Sequence, residues 1–524
     1  MDARGTGGRG MSGEPTGLRG DPTRAQVRGS TLLLVGQAFA LVAGLAVQVL
    51  IVRVLSKAEY GAFAYALSLA MLAEAVTSFG LRRGVSRFMP TYEERGEDAK
   101  ALGTLVFAFC TILSLGLVTM LALIGLRQML TGSFPSPAHA AAVLLIMSAL
   151  TPAQALANLL DGVFAVYVRP GAIVVRKYVL TPLLRLVVVA LLALESHDVR
   201  FLAAGYVLTA IVGLAVYGTM LAPVLRDRGL WDRLHTRRLQ MPVGEVLRFT
   251  VPLLSTDVTR ALLGGGNAVL LGIMATPGDV AELRAVVPVS LTMTYVLSAF
   301  GILFVPLAAR LHARGELADL NRLYWQTAIW TAVLSFPVFI TCTGLAGPLT
   351  RLLFGERYAH AAPLLAVLAV GHFVTAAAGP NGVLLGVLGR VRYVVFANLG
   401  AIVASVALNV ALIPPLGALG AALATAATFV GLNAALQAGL GRDTGVHVLD
   451  PTYASAYLAL AAVSAIALAL LLLGSLPLLV EIAVAVLATV ATLGFARRRL
   501  GVAETFPELA RLPGVRLLLA AGRR

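Results

Sequence analysis

Fourteen long apolar runs recur along nearly the whole sequence. A helix needs about 20 consecutive, mostly apolar residues to cross a membrane, and each run reaches roughly that length. The runs therefore predict an all-α polytopic membrane protein with about fourteen transmembrane helices and almost no soluble domain. The predicted spans are residues 31–52, 61–81, 102–125, 140–161, 172–194, 201–224, 249–273, 286–309, 326–347, 361–386, 393–413, 417–440, 454–474 and 476–496.

The distribution of charge predicts how these spans are oriented. Only 13% of the residues are charged, and the net charge of +15 is spread over short loops and the two tails, which argues against a nucleic-acid partner. Of the 41 lysines and arginines, 32 lie in the tails and in alternate loops, and 7 lie in the intervening loops. Because cytoplasmic loops carry the excess of basic residues, we expect a protein of the cytoplasmic (inner) membrane with both termini in the cytoplasm.

A weak internal repeat divides the chain. Ser56 with Glu59 follows span 1, and Thr276 with Asp279 follows span 7; each pair has the spacing of a capping box that starts a helix. Spans six apart run in the same direction, so the repeat predicts two parallel six-helix lobes around a central cavity, as in transporters. The expected parts are a disordered basic tail (1–28), an N-lobe (29–225), a basic linker (226–248), a C-lobe (249–440), two extra helices (454–496) and a basic tail at the membrane surface (497–524).

The motifs of several enzyme classes are missing from the sequence. There is no GxxxxGK[ST] phosphate-binding loop, no HExxH or paired CxxC zinc motif, and no Asp-x-Asp. The two cysteines, Cys110 and Cys342, each lie inside an apolar run, which is typical of small buried side chains. We therefore expect a carrier rather than an enzyme, with no cofactor and no metal.

The polar residues deep in span 7 are the first candidates for a substrate site. Asp257 and Arg260 are three residues apart and share one helix face, which Gly264 and Asn267 continue. A charged pair in a helix weakened by glycines is typical of a transporter substrate site near the bilayer midplane. The alternative is an ion pair within the helix that only neutralises itself.

Further candidates lie in spans 2, 4 and 5. Arg185 in span 5 is a candidate for binding an anion such as a phosphate, and the alternative is a structural pair with Glu74 or another acid. Glu74 in span 2 is a candidate ion-coupling residue if it faces the cavity. Asn158 is a candidate polar residue of the cavity, and Asp161 is a candidate for ion coupling or for a charge pair. They share one face at the end of span 4, and the alternative is that both lie at the membrane interface.

Arginines also flank the first two spans. Arg53 lies at the outer end of span 1, and Arg83 lies with other arginines at the inner end of span 2. Arginines at an interface anchor a helix, and they also attract anionic lipid headgroups. Both remain candidates for binding an anionic substrate group.

Several stretches resemble one known family. They are Val52–Gly61, Phe249–Leu254, Phe304–Leu307, Leu353–Tyr358 and Asn409–Pro414. In this order and spacing, over roughly residues 28–440, the chain resembles the polysaccharide-biosynthesis flippases (O-antigen translocase-like) of the multidrug/oligosaccharidyl-lipid/polysaccharide exporter superfamily. Many members carry an acid where Asn267 stands, and Asp257 is the candidate to replace it in ion coupling.

The resemblance implies a function and partners. It implies alternating access between two bundles, spans 1–6 and 7–12, and transfer of a polyprenyl-pyrophosphate-linked oligosaccharide across the cytoplasmic membrane. The expected partners are this lipid-linked glycan, membrane lipids and other polysaccharide-assembly proteins, and we expect a monomer. The alternatives are a cation-coupled multidrug exporter of the same superfamily, a membrane glycosyltransferase or polymerase, and a scaffold that transports nothing.

Overall fold

The structure is a computed structural model that describes residues 22–132, 134, 136–167, 170–195, 198–227, 239–441, 451–473 and 476–499. Every regular element in these ranges is a helix. Thirteen helical segments of the described chain are long and apolar enough to cross a membrane. Residues 243–274, which carry Asp257 and Arg260, form one further continuous helix, and the total is consistent with the sequence prediction of about fourteen.

The helices form two lobes and an additional pair. The N-lobe contains α1 (Pro22–Val54), α2 (Lys57–Ser78), α3 (Leu81–Glu94), α4 (Asp98–Thr131), α5 (Pro137–Ser148), α6 (Leu150–Val166), α7 (Pro170–Ile173), a π-helical segment (Val174–Leu180), α8 (Thr181–Glu195) and α9 (Val199–Asp227). The C-lobe contains α10 (Val243–Ala261), a π-helical segment (Leu262–Gly266), α11 (Asn267–Met274), α12 (Pro277–Ser290), α13 (Thr292–Ala313), α14 (Leu317–Gly344), α15 (Ala346–Phe354), a 3₁₀ segment (Glu356–Ala361), α16 (Ala362–Ala377), α17 (Asn381–Val387), α18 (Val391–Leu416) and α19 (Ala418–Leu440). The pair is α20 (Pro451–Leu473) and α21 (Leu478–Arg499), and both helices pack on α14 of the C-lobe.

The expected tails and linker fall largely outside the described residues. Residues 1–21, 228–238 and 500–524 lie outside them. Residues 22–28 of the expected disordered tail belong to α1, which therefore begins earlier than the first apolar run suggests. Residues 226–227 end α9, and 243–248 begin α10.

Both predicted capping boxes are present. Ser56 accepts a hydrogen bond from the backbone N–H of Glu59, whose carboxylate accepts one from the backbone N–H of Ser56. Thr276 and Asp279 make the same reciprocal bonds at the start of α12. These caps satisfy backbone donors that a helix start would otherwise leave unpaired, so α2 and α12 begin at equivalent points of the two lobes.

The two lobes meet where α2 crosses α12. Following the charge prediction, we call the end with the α1–α2 and α11–α12 connections the outer end and the opposite end the inner end. A Cβ at Gly61 would lie 2.1 Å from the carbonyl oxygen of Pro277, so only glycine allows this approach. Beside it, Lys57 Nζ lies 2.6 Å from Glu282 Oε1 across the seam.

Two arginines close the outer end by reciprocal contacts, which we call the arginine clasp. Arg53 at the end of α1 donates from Nε to the carbonyl oxygen of Leu353 at 2.8 Å, and from Nη2 to that of Leu352. Arg357 of the C-lobe donates to the carbonyl oxygens of Val52 and Arg53. Each cation thus sits at the C-terminal end of a helix of the other lobe, where the helix dipole favours positive charge.

Substituting Gly61 tests this closure. A valine side chain would overpack the contact with Pro277, and overpacking costs about 1–3 kcal/mol, enough to shift an equilibrium about tenfold. We expect Gly61→Val to raise the labelling rate of an Ala281→Cys probe by an impermeant maleimide about tenfold, because Ala281 is fully buried in the closed seam. Cys110 and Cys342 are replaced by serine in all variants.

Gly125→Val is the matched control, since no atom lies within 4 Å of a Cβ built at Gly125. Equal labelling of the probe in the two valine variants would show that the α2–α12 contact does not hold the outer end closed.

Candidate functional site

A cavity of about 620 Å³ lies between the lobes. Its N-lobe wall comes from α1, α2, α3, α6, the π-helical segment Val174–Leu180 and α9. Its C-lobe wall comes from α10, the π-helical segment after it and α12. It reaches from just below the outer seam to the inner end of α2. The polar residues that line it are Gln48, Tyr60, Glu74, Ser78, Arg82, Asn158, Lys177, Tyr206, Asp257 and Arg284.

Glu74 and Asn158, which are predicted from separate spans, meet on the N-lobe wall. Asn158 Nδ2 donates to Glu74 Oε1 at 2.8 Å, and Ser78 Oγ donates to the same oxygen at 2.6 Å. The donors to Glu74 are uncharged, so its charge is not cancelled by them. The structural pair of Arg185 with Glu74 that the sequence left open is not formed.

Asp257 forms an ion pair across the lobes. Its Oδ1 lies 2.7 Å from Arg83 Nη2, and both side chains are about three-quarters buried. Arg83 therefore pairs with span 7 of the other lobe rather than pointing to solvent at the membrane surface. The backbone of Arg260 belongs to α10, but its side chain lies outside the described residues.

Further contacts join the lobes at the inner end beyond Asp257, and we call this set of contacts the inner seam. The Arg87 guanidinium lies 4.4 Å from the ring centroid of Phe249, and Tyr92 Oη donates to Glu245 Oε2 at 2.6 Å. A left-handed turn at Phe79 and Gly80 (φ 46° and 66°) separates α2 from α3 and directs α3 to this contact. The lobes are thus held together at both ends, with the cavity between them.

Arg284 is a deep cavity residue that the sequence interpretation missed. Counting residues 274–285 as an outer loop placed it outside the membrane, whereas it lies inside α12. The sequence could have revealed this position, because the capping box at Thr276 marks the start of the helix. Eight residues at a rise of 1.5 Å each place Arg284 about 12 Å further into the membrane. Its Nη1 lies 3.4 Å from the carbonyl oxygen of Gly264, and its own carbonyl accepts from Gln48 Nε2 at 3.1 Å.

Arg185 lies behind the cavity wall instead of on it. Its guanidinium carbon is 4.4 Å from the ring centroid of Tyr206, whose own side chain lines the cavity. Its Nε is buried without a hydrogen-bond partner in the described chain. The position, one aromatic layer away, lets Arg185 add to the positive potential without touching a ligand in this conformation.

Asp161 belongs to a separate polar cluster of the N-lobe. It is buried, accepts from Tyr217 Oη at 2.5 Å, and lies 3.2 Å from Lys177 Nζ. It also lines a small crevice of about 320 Å³ together with Arg82, Arg83, Ser86 and Arg87. Asn158 and Asp161 therefore face different surroundings, although they are three residues apart.

Asn267 faces a second cavity, which lies inside the C-lobe. Its amide donates to Thr425 Oγ1, and its carbonyl oxygen accepts from Asn409 Nδ2 at 2.9 Å and from Ser405 Oγ at 3.4 Å. We call this space of about 590 Å³ the C-lobe cavity. Gly264 and Arg284 line both it and the central cavity.

The charges of the central cavity favour an anion near Arg284. Asp257 is paired with Arg83, and Lys177 with Asp161. In the part of the chain that the structure describes, no carboxylate lies within ion-pair distance of Arg82 or Arg284. A guanidinium offers several N–H donors that match phosphate oxygens two at a time, and in a low-dielectric site this interaction is strong.

Two of three comparisons with known proteins found matches. The sequence model of the family described as polysaccharide biosynthesis protein matches residues 26–312, more than half of the chain. No curated protein sequence matches the chain. A lipid II flippase MurJ structure, in an inward closed conformation, superposes with a TM-score of 0.66 at 14% identity, covering 89% of this chain and 99% of that one.

Multidrug exporters share the fold as well. An inward-facing multidrug resistance transporter of the MATE family, in the MOP superfamily, gives a TM-score of 0.62 at 13% identity over 76% of this chain and 92% of that one. A MOP superfamily transporter from Pyrococcus furiosus, described as having a binding pocket of reverse polarity, gives 0.50 at 15% identity over 81% and 96%. At these identities the likeness shows a common fold and leaves the substrate to the residues of the cavity.

The ion pair between Arg83 and Asp257 can be tested by a double-mutant cycle. We expect Arg83→Gln and Asp257→Asn each to lower the free energy of unfolding by about 1–2 kcal/mol, because each removes one side of a charge-assisted hydrogen bond that is about three-quarters buried. The double variant should lose about 1 kcal/mol less than the sum. Thermal unfolding in one detergent measures all four proteins.

The control cycle uses Arg351 and Glu356, whose side chains are 60% and 80% exposed. Exposed pairs contribute little, so these two changes should add without coupling. If the losses of stability for Arg83→Gln and Asp257→Asn are also additive, the ion pair does not stabilise the inner seam.

Proposed function

Because this chain belongs to the polysaccharide biosynthesis protein family, we propose that it is a flippase for a polyprenyl-pyrophosphate-linked oligosaccharide. It moves this substrate across the cytoplasmic membrane by alternating access, for the synthesis of cell-surface polysaccharide. The observation that carries the proposal is the position of Arg284, which lines the central cavity and has no carboxylate partner in the described chain. A deep unpaired cation is costly in a membrane unless it faces a cavity or a ligand.

The pyrophosphate is the group that Arg284 fits. Arg82 lines the inner part of the same cavity and can receive the substrate before Arg284 does. Arg185 adds positive potential from behind Tyr206, and Arg260 stays a candidate ligand on the same helix as Asp257. In this proposal Arg53 acts in the arginine clasp, and Arg83 holds the inner seam through Asp257, so both change partners during the transport cycle.

Glu74 is the proposed ion-coupling group. Its donors in this conformation are an amide and a hydroxyl, and neither supplies a charge. A proton or a monovalent cation at Glu74 would neutralise the carboxylate and lower its repulsion of an anionic substrate. Both termini lie in the cytoplasm in this scheme, so the outer seam faces the cell exterior.

Pocket polarity separates this proposal from a multidrug exporter, which shares the fold. An exporter of cationic drugs needs an excess of unpaired acids in its cavity. Here Asp257 is paired, and in the described lining two arginines without a carboxylate partner, Arg82 and Arg284, stand against the unpaired Glu74. Depletion of the protein should therefore cause a lipid-linked glycan to accumulate in the inner leaflet without raising drug susceptibility. Raised susceptibility with no accumulation would support the exporter instead.

Replacing Arg284 tests the site. Charge-assisted hydrogen bonds contribute about 1.5–3 kcal/mol, so we expect Arg284→Gln to reduce translocation of the glycan about tenfold or more, and Arg284→Lys to retain part of it. Glycan accessible at the cell surface, relative to the lipid-linked pool, gives the measurement.

Arg351→Gln is the matched control because Arg351 is exposed at the outer end, away from the cavity. It should leave translocation unchanged. Normal translocation by Arg284→Gln, in protein present at wild-type amounts, would remove Arg284 from the site.

A further inference from the structure

The C-lobe cavity is chemically different from the central one. Among the described residues that line it, Arg284 is the one charged residue and His372 is the one imidazole. The other polar groups are amides and hydroxyls, and leucines and Phe429 complete the wall. The polar lining consists of Thr259, Asn267, Arg284, Thr294, Ser298, His372, Thr375, Asn398 and Thr425.

Two of these side chains lack hydrogen-bond partners in the described chain. His372 is only 4% exposed, and its ring packs 5.1 Å, centroid to centroid, from that of Phe429. Asn398, which is partly exposed, also lines the cavity, and no described residue bonds its amide. A buried polar group without a partner costs about 1–3 kcal/mol, so the contents of the cavity have to supply the missing hydrogen bonds.

The wall between the two cavities is thin. Residues Leu262–Gly266 form a π-helical turn, a feature that often marks functional sites in helices. Glycines at 264, 265 and 266 place no side chain there, and Gly264 borders both cavities. Arg284 also lines both cavities, so a ligand group that binds Arg284 in the central cavity lies next to the C-lobe cavity.

We propose that the C-lobe cavity is a subsite for the uncharged sugar residues next to the pyrophosphate, with Arg284 holding the pyrophosphate at its boundary. This rests on the proposed function and specifies which part of the substrate each cavity takes. Amides, hydroxyls and a neutral imidazole donate to and accept from sugar hydroxyls, and the Phe429 ring packs against the apolar face of a sugar. In the described lining no second charged side chain is present to pair with a charged sugar, so we expect neutral sugars here.

The test compares two probes bound to the purified full-length protein in lipid nanodiscs. One probe is the lipid-linked glycan extracted from cells depleted of the protein, and the other is polyprenyl pyrophosphate of the same chain length without sugar. We expect His372→Leu to weaken binding of the first about tenfold and to leave the second unchanged, because one or two hydrogen bonds to sugar are lost. Asn398→Leu should likewise weaken binding of the first probe and leave binding of the second unchanged. It provides an independent test if His372→Leu does not fold.

Two controls separate the possible failures. Arg284→Gln should weaken both probes, and His360→Leu, an exposed histidine of the outer end, should weaken neither. If Arg284→Gln weakens both probes while His372→Leu and Asn398→Leu affect neither, or affect both equally, the sugar subsite is wrong and the flippase proposal stands. If no lipid-linked glycan accumulates on depletion, the proposed function itself fails.

Discussion

A charge inside the hydrocarbon of a membrane needs a partner or a polar cavity, because an isolated one costs about 2.5–3.5 kcal/mol on insertion scales. In this molecule that constraint decides how the lobes are joined. Asp257 meets Arg83 across the inner seam, and Lys57 meets Glu282 across the outer one. Arg284 takes part in neither of these ion pairs and instead borders two cavities. The same requirement therefore holds the lobes together at both ends, and in the described chain it leaves Arg284 without a carboxylate partner between them.

The fold could be predicted from the sequence to a large extent, because hydrophobic length and charge alternation are local properties of the chain. The capping boxes at Ser56 and Thr276 could likewise be predicted, because each is formed by four consecutive residues. The candidate site was less predictable. The partner of Asp257 comes from 174 residues away, and the meeting of Glu74 with Asn158 depends on how two helices rotate against each other. Local spacing suggested Arg260 as the partner of Asp257, and spacing alone carries no information about the other lobe.

Arg284 shows a different cause of failure. Its omission came from assigning a helix boundary by hydropathy, which is weak where proline, glycine and acids begin a helix. The capping box gave the better boundary, because it depends on hydrogen bonds at the helix start rather than on average polarity. With that boundary, Arg284 would have joined Asp257 and Glu74 as a deep candidate. The C-lobe cavity had no comparable signal, since His372 and Asn398 are far apart in sequence.

The arginine clasp depends on the side chains of only two residues. Its acceptors are main-chain carbonyl oxygens of Val52, Arg53, Leu352 and Leu353, which any amino acid other than a helix breaker would present in the same place. Only the two donors are specified by their side chains. Two codons therefore specify a contact between residues 300 positions apart, and a change of side chain at Val52, Leu352 or Leu353 leaves it intact.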